Sequence, residues 1–509
     1  MNIKEKFFKY YTAGCENRKY LLIYFVLVFI LTLSIASLDN YLHPKFEIIV
    51  FLLTIFSGVF SILYYKLHDS ELHKVAFVII ICFGLVCAFI TPIGLIPDEQ
   101  EHLIRSEMTS KGVIVPEPQF ENSTFAGFNT PKSVADLAGD YGNTAVNSSV
   151  ANSKIDYSNV LYTSAFMQNP FFGYLAQAIG IAIAKLLDLS VIWMLWLGRC
   201  ANLILYALLV SLAVKKAQVL KIPLIAMACI PLAIFQAASL SIDAAVNGLA
   251  FLAFGYFLNM LKSNENTLNL KNIGLFSLTV LLLALCKLPY LAFIFLLFIV
   301  PRDKFKTPYY YNIAAFLTVA ILVVLWARFY AMPNYMFSYR ANYFLENNVS
   351  MQAQLGYLSA HLKSSAVTFA NVFNYIGVIM SWMFLFSFPP FSYESDLLTV
   401  IGLMFMGAVI FLYPNKDKLS SWTRIGLLIV MLIVFYGTFT IQLLTWSSVG
   451  VLYGVDLQAR YFIPLLAMAP FVFGVNSTHS DDKKIDLMII IASIVLLSAF
   501  NILTLCRFY

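Results

Sequence analysis

The stretch Val75-Ala76-Phe77-Val78-Ile79-Ile80-Ile81-Cys82-Phe83-Gly84-Leu85-Val86-Cys87-Ala88-Phe89-Ile90-Thr91-Pro92-Ile93-Gly94-Leu95 runs straight into Ile96-Pro97-Asp98-Glu99-Gln100-Glu101-His102-Leu103-Ile104-Arg105. Its first part is uncharged and about as long as a helix needs to be to cross a bilayer's hydrocarbon core. Its second part is acidic and titratable and begins at the end of that span. If the second part is helical, Asp98, His102 and Arg105, at i, i+4 and i+7, stand on one face. A carboxylate, an imidazole and a guanidinium on one stripe can take a proton and hold an anion. The structural alternative is a helix start, because carboxylates after a proline cap free N–H groups and favour the positive end of the helix dipole.

The rest of the chain has the same character. Of its 509 residues 60% are hydrophobic and 12% charged, which excludes a water-soluble domain and reads as a polytopic membrane protein. The 45 Phe and 29 Tyr suit interfacial belts and a groove for a lipid chain, and lipid-facing surface uses Phe as well. The seven cysteines show no CxxC or Cys/His ligand spacing, so neither a disulfide framework nor a zinc site is implied. No Walker motif, nucleotide-sugar domain or nucleic-acid surface is present.

Apolar runs of about 20 residues fall at 20–38, 46–65, 75–95, 191–214, 222–238, 244–261, 273–286, 289–300, 311–330, 397–413, 425–443, 461–475 and 485–505. These predict about thirteen crossings, two of them too short to span untilted. The first run lacks a small-residue cleavage site and reads as a retained helix. With the amino terminus inside, 20 of the 33 Lys and Arg residues, Lys66, Lys74, Lys215, Lys416 and Lys418 among them, fall in short cytoplasmic segments. The loop 96–169, with nine acidic against four basic residues, then lies outside. Counting 170–187 or 369–388 as single crossings would invert the charge pattern, so both read as interfacial or re-entrant helices on the outer face.

In this topology Arg199, Asp243, Lys287, Arg328 and Arg460 each fall toward the outer end of a different span. A charge at a helix centre costs roughly 2.5 to 3.5 kcal/mol, so such residues face a cavity or a partner, or snorkel to the interface. Together they suit an anionic headgroup, the phosphate or pyrophosphate of a lipid carrier, with Arg offering forked hydrogen bonds and Lys a point charge. Asp98, Glu99, Glu101 and His102 could also ligate a divalent metal. Such an oxygen-rich set suits Mg or Mn better than zinc, but no spacing is diagnostic, and no metal ligand is assigned. His361 and Arg340, in the outer segment 331–396, could touch an acceptor, although lone polar loop residues are usually just solvated.

Pro97-Asp98-Glu99 with His102, Arg105 and Gly112 resembles the P-D-E-x-x-H-x-x-R segment, followed by a glycine, of the bacterial membrane proteins catalogued as domain of unknown function 2142. Ser239-Leu240-Ser241-Ile242-Asp243 is similar to that family's S-x-S-x-D turn, Lys287-Leu288-Pro289-Tyr290 to its K-x-P-Y hairpin, and Gln458-Ala459-Arg460-Tyr461-Phe462-Ile463-Pro464 to its Q-G-R-Y-F-x-P. The likeness covers about residues 75–475. Ala459 departs from the usual glycine, and Asn169-Pro170-Phe171 from a proline-rich version.

The resemblance implies an all-α, GT-C-like membrane glycosyltransferase. Residues 1–73 would be a cytoplasmic tail and helical hairpin extension, 74–475 the catalytic core, and 476–509 a C-terminal helix. It further implies a polyprenyl-phosphate-linked sugar donor, an envelope glycan or glycolipid acceptor, and a bacterial plasma membrane with the active site outside. In that scheme Asp98 is the base, Glu99 supports it or contacts the acceptor, and His102 and Arg105, with Asp243, orient Asp98 or hold acceptor or phosphate. Arg199, Lys287, Arg328 and Arg460 hold the donor phosphate. Two other classes compete. A lipid-linked glycan transporter or flippase would show internal repeats and midplane charges, which are not seen. An envelope glycan polymerase or ligase would rely more on basic residues in large outer loops.

Overall fold

The computed structural model describes residues 3–35, 43–122, 124–335, 344–386, 396–414, 419–474 and 483–509; Arg340, Lys416 and Lys418 lie outside these. Among the described residues, eight helices are long and apolar enough to cross a membrane: Arg18–Ile35, Pro44–Leu67, Leu72–Ile90, Ile192–Lys216, Asp243–Leu261, Tyr310–Tyr335, Ser421–Thr445 and Lys483–Phe508. The other five apolar runs are shorter or broken, and proline accounts for most of this. Pro231 splits 222–238 into Lys221–Ala228 and Pro231–Ala237, since the residue before a proline is pushed to extended backbone. Pro464 and Pro470 cut 461–475 into single turns. Leu270–Cys286 ends where Lys287 turns extended, and Pro289 opens the 3-10 segment Leu288–Phe295. In 397–413 the helix Asp396–Gly407 loosens into a π turn at Ala408–Leu412. Lipid tolerates broken backbone only where protein covers it, and residues 222–238 are almost wholly buried.

Two spans form the centre of the bundle. Lys483–Phe508 is 89% buried and Asp243–Leu261 83% buried over their apolar windows, against 11% for the peripheral Tyr310–Tyr335. The central helix is reached from the first and third spans. Ser498 Oγ lies 3.0 Å from Tyr24 Oη, and Asn501 Nδ2 donates to the Phe83 carbonyl at 3.3 Å.

The loop 96–169 is more structured than the all-helical expectation allows. Helix Glu99–Ser110 begins with Glu99 and Glu101 in its first turn, where the dipole favours carboxylates, and stops before Gly112, whose φ of 84° suits glycine. Three antiparallel strands, Gln119–Glu121, Thr124–Pro131 and Asn159–Tyr162, follow in that order, with helix Lys132–Gly139 between the last two. Leu103, Ile104, Phe128, Val134 and Leu137 form a second apolar core that packs on Ile192, Leu195 and Leu240. This cap therefore sits on the end of the span Ile192–Lys216.

Segment 170–187 forms the short helix Phe171–Leu186, and 369–388 falls into short turns of helix as far as Trp382, its last two residues lying outside the described ones. At Gly180 a Cβ would stand 2.2 Å from the Leu197 carbonyl oxygen, so only glycine permits this approach of the short helix to Ile192–Lys216.

Candidate active site

Four charges from four segments meet at the foot of the cap. Arg460 Nη2 donates to Asp98 Oδ2 at 2.5 Å, its Nη1 to the Pro97 carbonyl at 3.0 Å, and its Nε to Gln458 Oε1 at 2.6 Å. Its Nη1 also stands 3.5 Å from Asp243 Oδ2, and Asp243 Oδ1 accepts from Lys287 Nζ. The result is a chain, Asp98 to Arg460 to Asp243 to Lys287. The inner members are buried, while the Asp98 and Lys287 side chains are 39% and 25% exposed. Asp98 holds a left-handed backbone, φ 64° and ψ 15°, and its side chain makes no capping hydrogen bond to the helix that follows. The helix does start at this point, with Asp98 as its N-cap residue, but the carboxylate caps none of its N–H groups, and the one-stripe reading fails. Asp98 precedes the helix, and its carboxylate turns to Arg460.

Lys287 and Tyr461 connect this chain to a cavity of about 400 Å³. Its wall is apolar and aromatic, with Trp326, Met332, Ile441, Leu444 and Trp446, and Gln168, Asn169 and Gln442 supply polar groups. The Lys287 ammonium lies 4.4 Å from the Tyr461 ring centroid, a cation–π contact that holds the charge at the cavity mouth. An apolar chamber with a few convergent polar groups at one end is the usual form of a ligand site.

Behind the charges, His102 is the centre of a buried relay. Asn169 Nδ2 donates to Tyr174 Oη at 2.8 Å, so the tyrosine proton points to His102 Nδ1, also at 2.8 Å. That leaves the His102 proton on Nε2, facing Ser241 Oγ at 3.3 Å, and Ser241 Oγ also accepts from the Asp243 amide at 3.1 Å. Burial pushes the imidazole down to about 3, opposed by the Asp98 and Asp243 carboxylates and aided by Arg460 and Lys287. The unfolded chain takes up a proton near 6.5 that the folded chain refuses. Stability should therefore fall as pH drops from about 6.5 towards 3. Thermal melts in detergent check this, since His102→Gln should flatten the slope in that window. An unchanged slope would show that other groups set the acid sensitivity.

Two expected site residues serve the fold instead. Arg199 and Glu99 form a buried forked pair, with Arg199 Nε to Glu99 Oε1 at 2.8 Å and Nη2 to Oε2 at 2.6 Å. Arg199 also donates to the carbonyls of Ala88, Thr91 and Pro92 at 2.9, 2.7 and 3.0 Å, which uses all five of its N–H groups. Nothing is left for a phosphate. Glu99 Oε1 further accepts from the Leu240 amide at 3.2 Å, so from its buried position it braces the turn at 239–243. Asn202 braces the same turn, donating to the Ser239 and Ser241 carbonyls at 2.7 and 2.9 Å.

Arg105 is also diverted. It is buried and donates to Thr109 Oγ1 and to the Val113 and Ile114 carbonyls, closing the end of its own helix. Arg328 is exposed, lies 5.9 Å from the Phe329 ring and does not line the cavity, although Trp326 and Ala327 do. His361 is exposed and donates to the Tyr357 carbonyl at 2.9 Å. The set Asp98, Glu99, Glu101 and His102 does not converge as a metal cage. Among the described residues no three His, Cys, Asp or Glu side chains do.

Residues 77–469 match the model of a family described as "Predicted membrane protein (DUF2142)". No curated protein and no solved structure matches the chain.

Proposed function

The chain belongs to the DUF2142 family of predicted membrane proteins, and from that premise and the geometry above we propose that it is a GT-C type glycosyltransferase. It takes a sugar from a polyprenyl-phosphate donor and passes it to an envelope glycan or glycolipid on the extracytoplasmic face of a bacterial plasma membrane. The observation that carries this reading is the junction of the charge chain with the apolar cavity at Lys287 and Tyr461. A polyprenyl chain would lie among Trp326, Ile441 and Trp446, and its phosphate would meet Lys287. Lys66, Lys74, Lys215 and Lys216, in the short segments on the other side of the flanking spans, support the outward orientation of 96–169.

In the transfer, the acceptor hydroxyl gives its proton to the Asp98 carboxylate, which is exposed enough to be reached. The acceptor oxygen bonds to the anomeric carbon as the bond from that carbon to the phosphate oxygen breaks. The electron pair leaves with polyprenyl phosphate, whose added charge Lys287 and Arg460 balance. One displacement inverts the anomeric carbon. His102, neutral and locked by Tyr174 and Ser241, fixes the Asp243 turn and so the position of Lys287.

The test uses purified protein in nanodiscs holding radiolabelled polyprenyl-phosphate hexose or hexosamine, with an envelope glycan extract as acceptor. Label should move from the lipid phosphate to the glycan. Protein that binds polyprenyl phosphate yet moves no label from either donor overturns the transferase reading and favours a carrier.

A further inference from the structure

Beyond the charge chain, a second cavity of about 660 Å³ opens beside the helix Leu362–Asn371. Its lining differs from that of the first. Phe439, Val367 and Leu452 make an apolar base, while Ser364, Thr368, Asn371, Asn374, Tyr375 and Lys363 offer hydroxyls, amides and one cation. Among the lining residues there is no carboxylate. Tyr453 stands at the edge with 82% of its surface exposed.

That tyrosine is presented by a pinned loop. Gln354 Nε2 donates to the Val451 carbonyl at 2.9 Å, and Gln354 Oε1 accepts from the Gly450 amide at 2.7 Å. The Val455 amide donates to Tyr375 Oη at 3.1 Å. Gly450 and Gly454, with φ of 88° and 71°, make the left-handed turns on either side. An aromatic face held clear of the protein, opposite amides and hydroxyls, suits a ligand with C–H faces and many hydroxyl groups. Sugar rings have both: their axial C–H faces pack on aromatic rings, and their hydroxyls pair with amides. A strongly anionic ligand would need more than one cation.

The cavity also lies within reach of the reaction. From Tyr375 the helix Ile376–Trp382 runs seven residues, about 10 Å at 1.5 Å per residue. Trp382 lines the small cleft shared by Pro97 and Arg460.

We infer that this outer groove is a binding subsite for a neutral or weakly acidic oligosaccharide, the glycan part of the acceptor. The assignment of acceptor rests on the transferase reading; the binding of glycan does not. The test is saturation-transfer NMR of the full chain in nanodiscs with soluble oligosaccharides of two to four hexose or N-acetylhexosamine residues, and in parallel with the same glycans lipid-linked. Wild type should bind, and Tyr453→Ala and Asn374→Ala should each weaken binding roughly tenfold. Binding of polyprenyl phosphate, followed by Trp quenching, should stay as in wild type. Binding of the lipid-linked series alone assigns the groove to a membrane glycolipid, and binding of both series assigns it to a polymer glycan. If neither series binds, or if both variants bind like wild type, the groove is not a glycan site. Glycan binding without any transfer leaves the subsite standing and removes the transferase reading alone.

Discussion

Replacing Asp98 by asparagine should lower sugar transfer by roughly 100 to 10,000-fold, the range that follows loss of a general base. Folding should survive, because asparagine tolerates the left-handed backbone that Asp98 adopts. The carboxylate makes no capping bond whose loss would loosen the helix. Arg460, itself buried, keeps Asp243 3.5 Å away and its bonds to Gln458 and the Pro97 carbonyl, and the asparagine side-chain oxygen can still accept from its Nη2. Polyprenyl phosphate should still bind, since Lys287 and the cavity wall are unchanged. The measurement is transfer by purified wild type and Asp98→Asn, with a thermal melt of each. A well-folded variant with full activity would make Asp98 a partner that steadies Arg460 and nothing more.

The second large effect is structural. Arg199→Lys keeps the charge but offers three N–H groups in place of five and lacks the fork that meets both Glu99 oxygens. Carbonyls of Ala88, Thr91 or Pro92 would be left bare, and Glu99 would be held by a single point charge. Each buried acceptor left bare costs about 1 to 3 kcal/mol, and two or more together are a large share of what holds most domains folded. The variant should run as aggregate or fragment on size exclusion in detergent. A phosphate-binding arginine predicts the reverse, a monodisperse protein with weakened donor affinity. The two outcomes separate cleanly in one preparation.

Arg199 shows why some of the site could be read from the chain and some could not. The cost of a buried charge announces that Arg199, Asp243, Lys287 and Arg460 need partners, and the sequence carries that information. It does not carry which partner each one finds. Arg460 meets Asp98 and links it to Asp243 and Lys287, whereas Arg199 meets Glu99, one residue further on, because the helix begins between the two acids and sends them in different directions. Asn202 left a legible sign, a second polar side chain three residues after Arg199 in an apolar span, and so on nearly the same face. Tyr174 left none, since a tyrosine in an apolar run looks like any interfacial aromatic. The broken runs were legible too: Pro231, Pro464 and Pro470 stand in plain view, and proline inside a helix removes a bond and adds a clash. The small sheet was hidden because the strand Gln119–Glu121 is exposed throughout and shows no alternation.

The central place of Lys483–Phe508 has a consequence for biosynthesis. A ribosome makes this helix after the other long ones, yet the first three of them, Arg18–Ile35, Pro44–Leu67 and Leu72–Ile90, pack against it, and its Ser498 and Asn501 meet Tyr24 and the Phe83 carbonyl from the earliest part of the chain. Contacts between such distant residues form slowly, because a long loop must close before they yield any stabilisation. Until then the nascent bundle must hold an open slot, with Tyr24 and its neighbours facing lipid or a chaperone. A stop codon shortly before Lys483 would therefore remove the axis of the bundle and not a dispensable tail, and the truncated chain should be cleared by membrane quality control even though every residue of the charge chain is present.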